Sequence, residues 1–172
     1  MLDYLTHYGI IGLSKEPKEK PLKAIYLDMD GTCADLYGVP NWLAKLHSED
    51  VTPYEQAEPM YDMDILNSLL EKFKRIGITI GVISWCAMGS TKEYDTKVRK
   101  AKRDWIKKHL PAVSEIHITR YGYSKKKSAK IKDSILVDDN EQVRESWKGR
   151  TIDANKDLIA ELTNLAKEMQ IA

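Results

Sequence analysis

Apolar runs of strand length alternate with segments of helical period along most of the chain. Residues 24–29, 78–84, 115–119, 134–138 and the short run 150–153 read as strands. Between the first two, Ile65, Leu66, Leu69, Leu70, Phe73 and Ile76 recur at the spacing of one helix face; Gly77 stops the helix and Asp62 or Asp64 is placed to cap its start. A second helix opens on Ser90-Thr91-Lys92-Glu93, a capping-box pattern, and ends before Pro111. It turns Tyr94, Val98, Ala101, Trp105 and Ile106 inward, while its basic face, Lys97 to Lys108, reads as solvated. A third helix begins near Asn155 and buries Leu158, Ile159, Leu162, Leu165 and Met169. This alternation predicts parallel βαβ units, hence an α/β fold with a Rossmann-like core.

Two segments break the pattern. Ser14 to Lys23 is a Lys, Glu and Pro stretch without a period, so residues 1–22 are expected to be an N-terminal extension outside a single domain over 23–172. Residues 33–61 mix aromatics, prolines and polar residues and read as a small insertion, or cap. Trp42, Leu43, Leu46 and His47 fit one short helix within it. Because it follows the first strand directly, it is expected to lie over the C-terminal ends of the strands, where open parallel sheets bind ligands.

At 172 residues and 42% hydrophobic, the chain suits one α/β core. A formal charge of +1 provides no global field toward nucleic acid, so any phosphate recognition is local. No apolar run reaches the roughly 20 residues of a membrane span, and Met1-Leu2-Asp3-Tyr4 lacks the basic and then apolar segments of a secretion signal; the expectation is a soluble cytoplasmic protein without a membrane partner. Cys33 and Cys86 have no metal-ligand spacing and read as reduced thiols. His47, His109 and His117 show no partner pattern and read as structural.

The strand ends carry the chemistry. The first finishes in Asp28-Met29-Asp30-Gly31-Thr32, the second in Ser84, and the fourth in Asp138-Asp139. The third runs into Tyr121-Gly122-Tyr123-Ser124-Lys125. Alternate side chains share a face of an extended strand, so Asp28 and Asp30 are expected to point the same way. Carboxylates that close repel, and a cation or a shared proton makes the pair tolerable. Several carboxylates beside a substrate phosphate suit Mg2+, which prefers hard oxygen ligands, and no histidine or cysteine cluster argues for zinc. Such a site has a carboxylate able to attack phosphorus, a second acid to move the proton, and a hydroxyl and an ammonium to hold the phosphoryl oxygens.

In this order the motifs resemble those of the haloacid dehalogenase (HAD) superfamily of phosphohydrolases. They are Asp28-Met29-Asp30-Gly31-Thr32, Val82-Ile83-Ser84, a lysine between Ser124 and Lys127, and Leu136-Val137-Asp138-Asp139. The resemblance implies a five-stranded parallel sheet of order 5-4-1-2-3, flanked by helices, with the cap after strand 1. It also implies a magnesium-dependent phosphomonoesterase working through an aspartyl-phosphate. Asp28 would be nucleophile and metal ligand, and Asp30 the acid/base with its backbone carbonyl on the metal. Asp138 and Asp139 would be the metal-binding pair. Ser84 and Lys125 join Asp28 and Asp30 as catalytic, with Gly31, Thr32, Ser84, Trp85, Lys125 and Lys127 expected around the phosphate.

More narrowly, Leu36 to Leu43, Ser84-Trp85 and Ser90 to Asp95 look like small phage-encoded members related to 5'-deoxyribonucleotidases. The implied substrate is a nucleotide or a nucleic-acid terminal phosphate; the alternatives are a sugar or small-metabolite phosphatase and a non-catalytic phosphate- or partner-binding module. In those relatives the lysine follows a Tyr-Gly-Thr-Pro run. Here Tyr121-Gly122-Tyr123-Ser124 stands in its place, which favours Lys125 while Lys126 and Lys127 remain alternatives. Tyr37, Trp42, Tyr54 and Trp85 could stack on a base or pack within the cap. Asp138-Asp139 could also cap the helix starting near Glu141.

Overall fold

In the computed structural model, residues 21–171 are described. The expected extension therefore lies, through residue 20, outside the described residues. In chain order the strands are β1 (Ala24–Leu27), β2 (Ala34–Asp35), β3 (Glu58–Pro59), β4 (Thr79–Trp85), β5 (Glu115–Thr119), β6 (Ser134–Asp138) and β7 (Thr151–Asp153). Five of them form a parallel sheet in the order β5-β4-β1-β6-β7. Counted along the sheet alone this is the order 5-4-1-2-3 that the resemblance implied. The central strand β1 is buried at every position, as a strand covered on both faces must be.

β1 ends two residues before its predicted limit. Met29 O accepts the N–H groups of both Cys33 and Ala34 at 2.8 Å, folding the chain into a tight turn that takes Asp30 out of the ladder. The helices are α1 (Trp42–His47), α2 (Thr52–Gln56), α3 (Met63–Arg75), α4 (Lys92–His109), α5 (Lys125–Ser128), α6 (Glu141–Ser146) and α7 (Leu158–Glu168). Ile25, Leu27, Ile80 and Val82 face a core shared with α3, α4 and α7. Tyr26, Ile83 and Leu136 face the opposite way, toward Val143 of α6 and Trp147.

Several local expectations shift. Asp62 caps α3, its carboxylate accepting from the N–H groups of Asp64 and Ile65. Leu66, Leu69, Leu70 and Phe73 are buried, but Ile65 and Ile76 are half exposed, because at 100° per residue they lie about 70–90° from the centre of that stripe. Thr91 rather than Ser90 caps α4, accepting from Tyr94 N–H at 3.2 Å. Ser90 bonds instead to Ala87 O and the Asp95 carboxylate. α7 starts at Leu158 behind an Asp157 cap, three residues later than expected. The side chain of Asn155 is used elsewhere, donating to Asp139 O at 2.7 Å. Asn140, not the preceding aspartates, caps α6.

The insertion is a small antiparallel pair, β2 with β3, carrying α1 and α2. It is pinned to α4 at three points: Trp105 Nε1–H donates to Ala57 O (2.7 Å), Tyr94 Oη–H to Asp50 O (2.7 Å) and Thr91 N–H to Glu49 Oε1 (3.0 Å). No helix among the described residues is long and apolar enough to cross a membrane.

Candidate active site

Asp28 follows β1 and Asp138 ends β6, the adjacent strand, whose register sets Leu27 beside Val137. The Asp28 N–H extends that pairing, donating to Val137 O at 2.8 Å, so Asp28 and Asp138 are neighbours on the rim. With Asp139 they form a cluster in which one carboxylate oxygen of each lies within 4.8 Å of the others. On the other side of β1, Val82 pairs with Leu27, and buried Ser84 stands two residues further toward the same rim.

Two lysines face these acids. Lys125, buried at the start of α5, places Nζ 2.9 Å from Asp28 Oδ2 and 2.7 Å from Asp138 Oδ2. Its Nζ also lies 5.0 Å from the centre of the Trp85 ring. The turn of α5 rotates each successive side chain by about 100°, which leaves Lys126 and Lys127 exposed and outside the cavity. The expectation that Lys127 lines the phosphate site is corrected accordingly.

Sequence reasoning missed the second lysine. Lys102 is fully buried and donates to Asp30 Oδ2, to Ser84 Oγ (3.0 Å) and to Trp85 O (2.6 Å). Its residue type places it with the basic face of α4, expected to be solvated. A signal was present: Lys102 comes four residues after Val98 and three before Trp105, inside the apolar stripe. Asp28 and Asp30, expected as one repelling pair, thus each have their own ammonium.

Gly31 and Thr32, expected around the phosphate, stand against Asp139. The Thr32 hydroxyl donates to Asp139 Oδ1 at 3.4 Å and accepts from Asp139 N–H at 3.2 Å. Gly31 has φ +72°, and a Cβ there would meet Asp139 Oδ2 and a Tyr37 ring carbon at 2.6 Å. Glycine is needed for the close approach as well as for the backbone conformation.

A cavity of about 280 Å3 opens above the acids, Ser84 and Lys125. Its walls include Tyr37, Trp42 and Tyr54 from the insertion, Trp85 at the end of β4 and Tyr121 from the loop after β5. Tyr37 and Trp42 pack edge to face with ring centres 5.1 Å apart; Trp85 and Tyr121 are 5.2 Å apart. Trp85 Nε1–H donates to Tyr123 O at 2.7 Å, which fixes the indole. His47 also borders the cavity.

The four carboxylates face two ammoniums, leaving two formal negative charges in a largely desolvated place. Burial raises the Asp138 carboxyl first and the Asp28 charge adds to it; Lys125 opposes both, and the group is pushed up to about 6. Asp139 is raised by burial and then by Asp28. Asp30 is raised by burial, against the pull of Lys102. Asp28 Oδ1 and Asp30 Oδ1 are buried without a hydrogen-bond partner. Hard oxygen donors, two uncompensated negative charges and an orphaned oxygen on Asp28 fit a divalent cation held by Asp28, Asp138 and Asp139. The Asp30 side chain is outside that cluster and engaged with Lys102.

No family model matches the sequence, and no curated protein matches it. Among solved structures, D,D-heptose 1,7-bisphosphate phosphatase from Burkholderia thailandensis aligns at 12% identity and TM-score 0.48, over 83% of this chain and 97% of that one. A HAD family enzyme from Bacteroides thetaiotaomicron, an alanine mutant in complex with magnesium and inorganic phosphate, aligns at 12% identity and TM-score 0.48, over 80% and 97%. Both are likenesses of chain path.

The raised carboxyls set a pH dependence. In chelator, Asp30, Asp138 and Asp139 bind protons more readily in the folded than in the unfolded chain, so stability rises as pH falls from about 7 toward 5. Carboxyls lowered by hydrogen bonds from Thr52, Lys100 and Arg150, namely Asp50, Asp104 and Glu168, act in the opposite sense only below about pH 4. His109, lowered by burial and then by Lys108, acts against this gain in the same window. Thermal denaturation of a His109→Gln variant in EDTA should therefore show a gain on the order of 1 kcal/mol, a few degrees in Tm, between pH 7 and 5.5. Saturating Mg2+ should raise Tm more at pH 7 than at pH 5.5. A Tm of that variant that falls across this window in EDTA would contradict the charge assignment.

Proposed function

We propose that the protein is a magnesium-dependent phosphomonoesterase of the HAD type with Asp28 as nucleophile. The observation that carries this reading is the position of Asp28, which shares Lys125 with Asp138 and lies within the three-carboxylate cluster at the floor of an open cavity.

Attack of an Asp28 oxygen on phosphorus breaks the bond to the ester oxygen and leaves an acyl phosphate on Asp28. Asp30 gives its proton to the departing oxygen. It then takes a proton from the water whose oxygen attacks phosphorus, releasing inorganic phosphate and regenerating Asp28. The Ser84 hydroxyl and the Lys125 ammonium hold the phosphoryl oxygens as charge shifts among them. Bound magnesium supplies positive charge that offsets repulsion between the carboxylate and the anionic ester. Asp138 and Asp139 would hold it with Asp28, and Thr32 and Gly31 fix where Asp139 stands.

The substrate we favour is a nucleotide, as for a 5'-deoxyribonucleotidase, or a nucleic-acid terminal phosphate. Support comes from the walls: Tyr37, Trp42, Trp85 and Tyr121 border the cavity in two packed pairs, a surface on which a base can stack.

Asp28→Asn should lower magnesium-dependent release of phosphate from 4-nitrophenyl phosphate by at least about a thousandfold with the melting profile retained. Retained turnover would remove Asp28 as nucleophile, and phosphate binding without turnover in the parent protein would favour a binding module. Among the three consecutive lysines, Lys125→Ala should cost on the order of a hundredfold or more in kcat, and Lys126→Ala about twofold at most. Equal mild losses would indicate a diffuse basic patch instead. A panel of 5'- and 3'-nucleotides, end-phosphorylated oligonucleotides and sugar phosphates should give the highest kcat/KM with a nucleoside or oligonucleotide. Preference for sugar phosphates would overturn the stacking argument and leave the phosphatase assignment intact.

A further inference from the structure

A fully buried lysine in the middle of an apolar helical stripe needs a reason, since an ammonium taken out of water is costly unless each of its protons is bonded. Lys102 of α4 meets that condition. Its Nζ contacts the Asp30 carboxylate, Ser84 Oγ at 3.0 Å and Trp85 O at 2.6 Å, three partners for three N–H bonds. The Tyr54 ring closes the fourth side, 4.8 Å from Nζ. No donor capacity is left for a substrate, so Lys102 is not a phosphate ligand. It binds Asp30 through Oδ2; Oδ1 has no protein partner and is itself buried, while the rest of the side chain keeps 17% exposure where Asp30 borders the cavity.

We propose that Lys102 is a positioning residue that tethers the Asp30 carboxylate at the edge of the cavity, where that group passes the proton, while holding Ser84 and the end of β4 in register with it. The inference rests on the phosphatase reading for its catalytic consequence and on the contacts alone for the tether. It separates the two lysines of the site by task. Lys125 meets the nucleophile, and Lys102 acts through the acid and the hydroxyl without touching substrate.

A leaving-group comparison tests the catalytic part. Breaking the ester bond of phenethyl phosphate requires a proton on the departing alkoxide, whereas 4-nitrophenolate leaves unprotonated; both esters require Asp30 for the attack of water on the acyl phosphate. Lys102→Met should therefore lower kcat for phenethyl phosphate by about a hundredfold. With 4-nitrophenyl phosphate it should retain a burst of one nitrophenolate per enzyme, followed by slow turnover. Equal losses on both esters without a burst would overturn the proposal, since a general structural defect slows the first step as well.

The second measurement is a double-mutant cycle with Asp30→Asn. Lys102→Met should change the rate by less than about threefold, and Tm by less than about 2 °C, when Asp30 is already Asn; in the parent its effect on Tm should be several times larger. Additive Tm shifts would overturn the tether. Should the single variant fail to fold, folding of the Asp30→Asn, Lys102→Met pair supports the tether, because that pair removes both charges together, and failure of the pair as well overturns it. Hydrolysis of neither ester by the parent protein sinks the phosphatase reading, and the Tm cycle then decides on the tether by itself.

Discussion

Four carboxylates at one end of a parallel sheet form the constraint on which the rest of the structure depends. Asp28 and Asp138 end neighbouring strands, and Asp139 and Asp30 follow within two residues. Desolvated and close, they repel one another and would drive the rim apart without opposite charge. The chain meets part of this from within. Lys125 comes from a one-turn helix just before β6, and Lys102 from the third turn of α4. Both side chains are almost wholly removed from water, which is tolerable because each ammonium bonds to carboxylate and other oxygens and lies beside an aromatic ring. Two negative charges remain, and a hard divalent cation held by Asp28, Asp138 and Asp139 would offset them.

The helix that supplies Lys102 also carries the insertion. Tyr94, Thr91 and Trp105 of the α4 segment hold Asp50, Glu49 and Ala57, so the aromatic walls and the Asp30 tether are referred to one rigid body. The apolar stripe of α4 fixes that body against the sheet through Val98, Ala101 and Ile106. Substitutions in this stripe far from the cavity are therefore transmitted to both the wall and the acid. The base of the site, by contrast, is fixed by strand register and by the Gly31 turn, which depend little on α4.

What was legible in the sequence follows from how local the determining physics is. Strands at 115–119 and 134–138 match their predicted limits because β-branched runs bounded by polar residues define them without help. The parallel sheet followed from alternation, and the floor of the site from residues whose positions at strand ends are set by topology. The early end of β1 and the shifted α4 cap escaped notice because each is decided by a competing hydrogen bond, at Met29 O and at the Asp95 carboxylate respectively. The roles of Gly31 and Thr32 as props for Asp139 are contacts across 107 or more residues of chain, invisible to any local pattern.

Lys102 is the instructive case, because residue type and helical position disagreed and residue type was given the greater weight. A lysine among lysines on a charged helix reads as solvent-facing, yet helical geometry places its Cα on the buried side whatever the side chain is. Such a conflict has two physical resolutions: the long stem carries the charge back out to water, or the interior offers a counter-charge. Here the stem points at the surplus of negative charge on the strand-end acids, and an interior ammonium with three oxygen partners follows. The rim carboxylates and the misplaced lysine are two halves of one electrostatic arrangement, each unfavourable without the other. An apparent violation of the hydrophobic pattern on α4 is thus the complement of the apparent violation at Asp28 and Asp30, and reading the two together locates the site more sharply than either does alone.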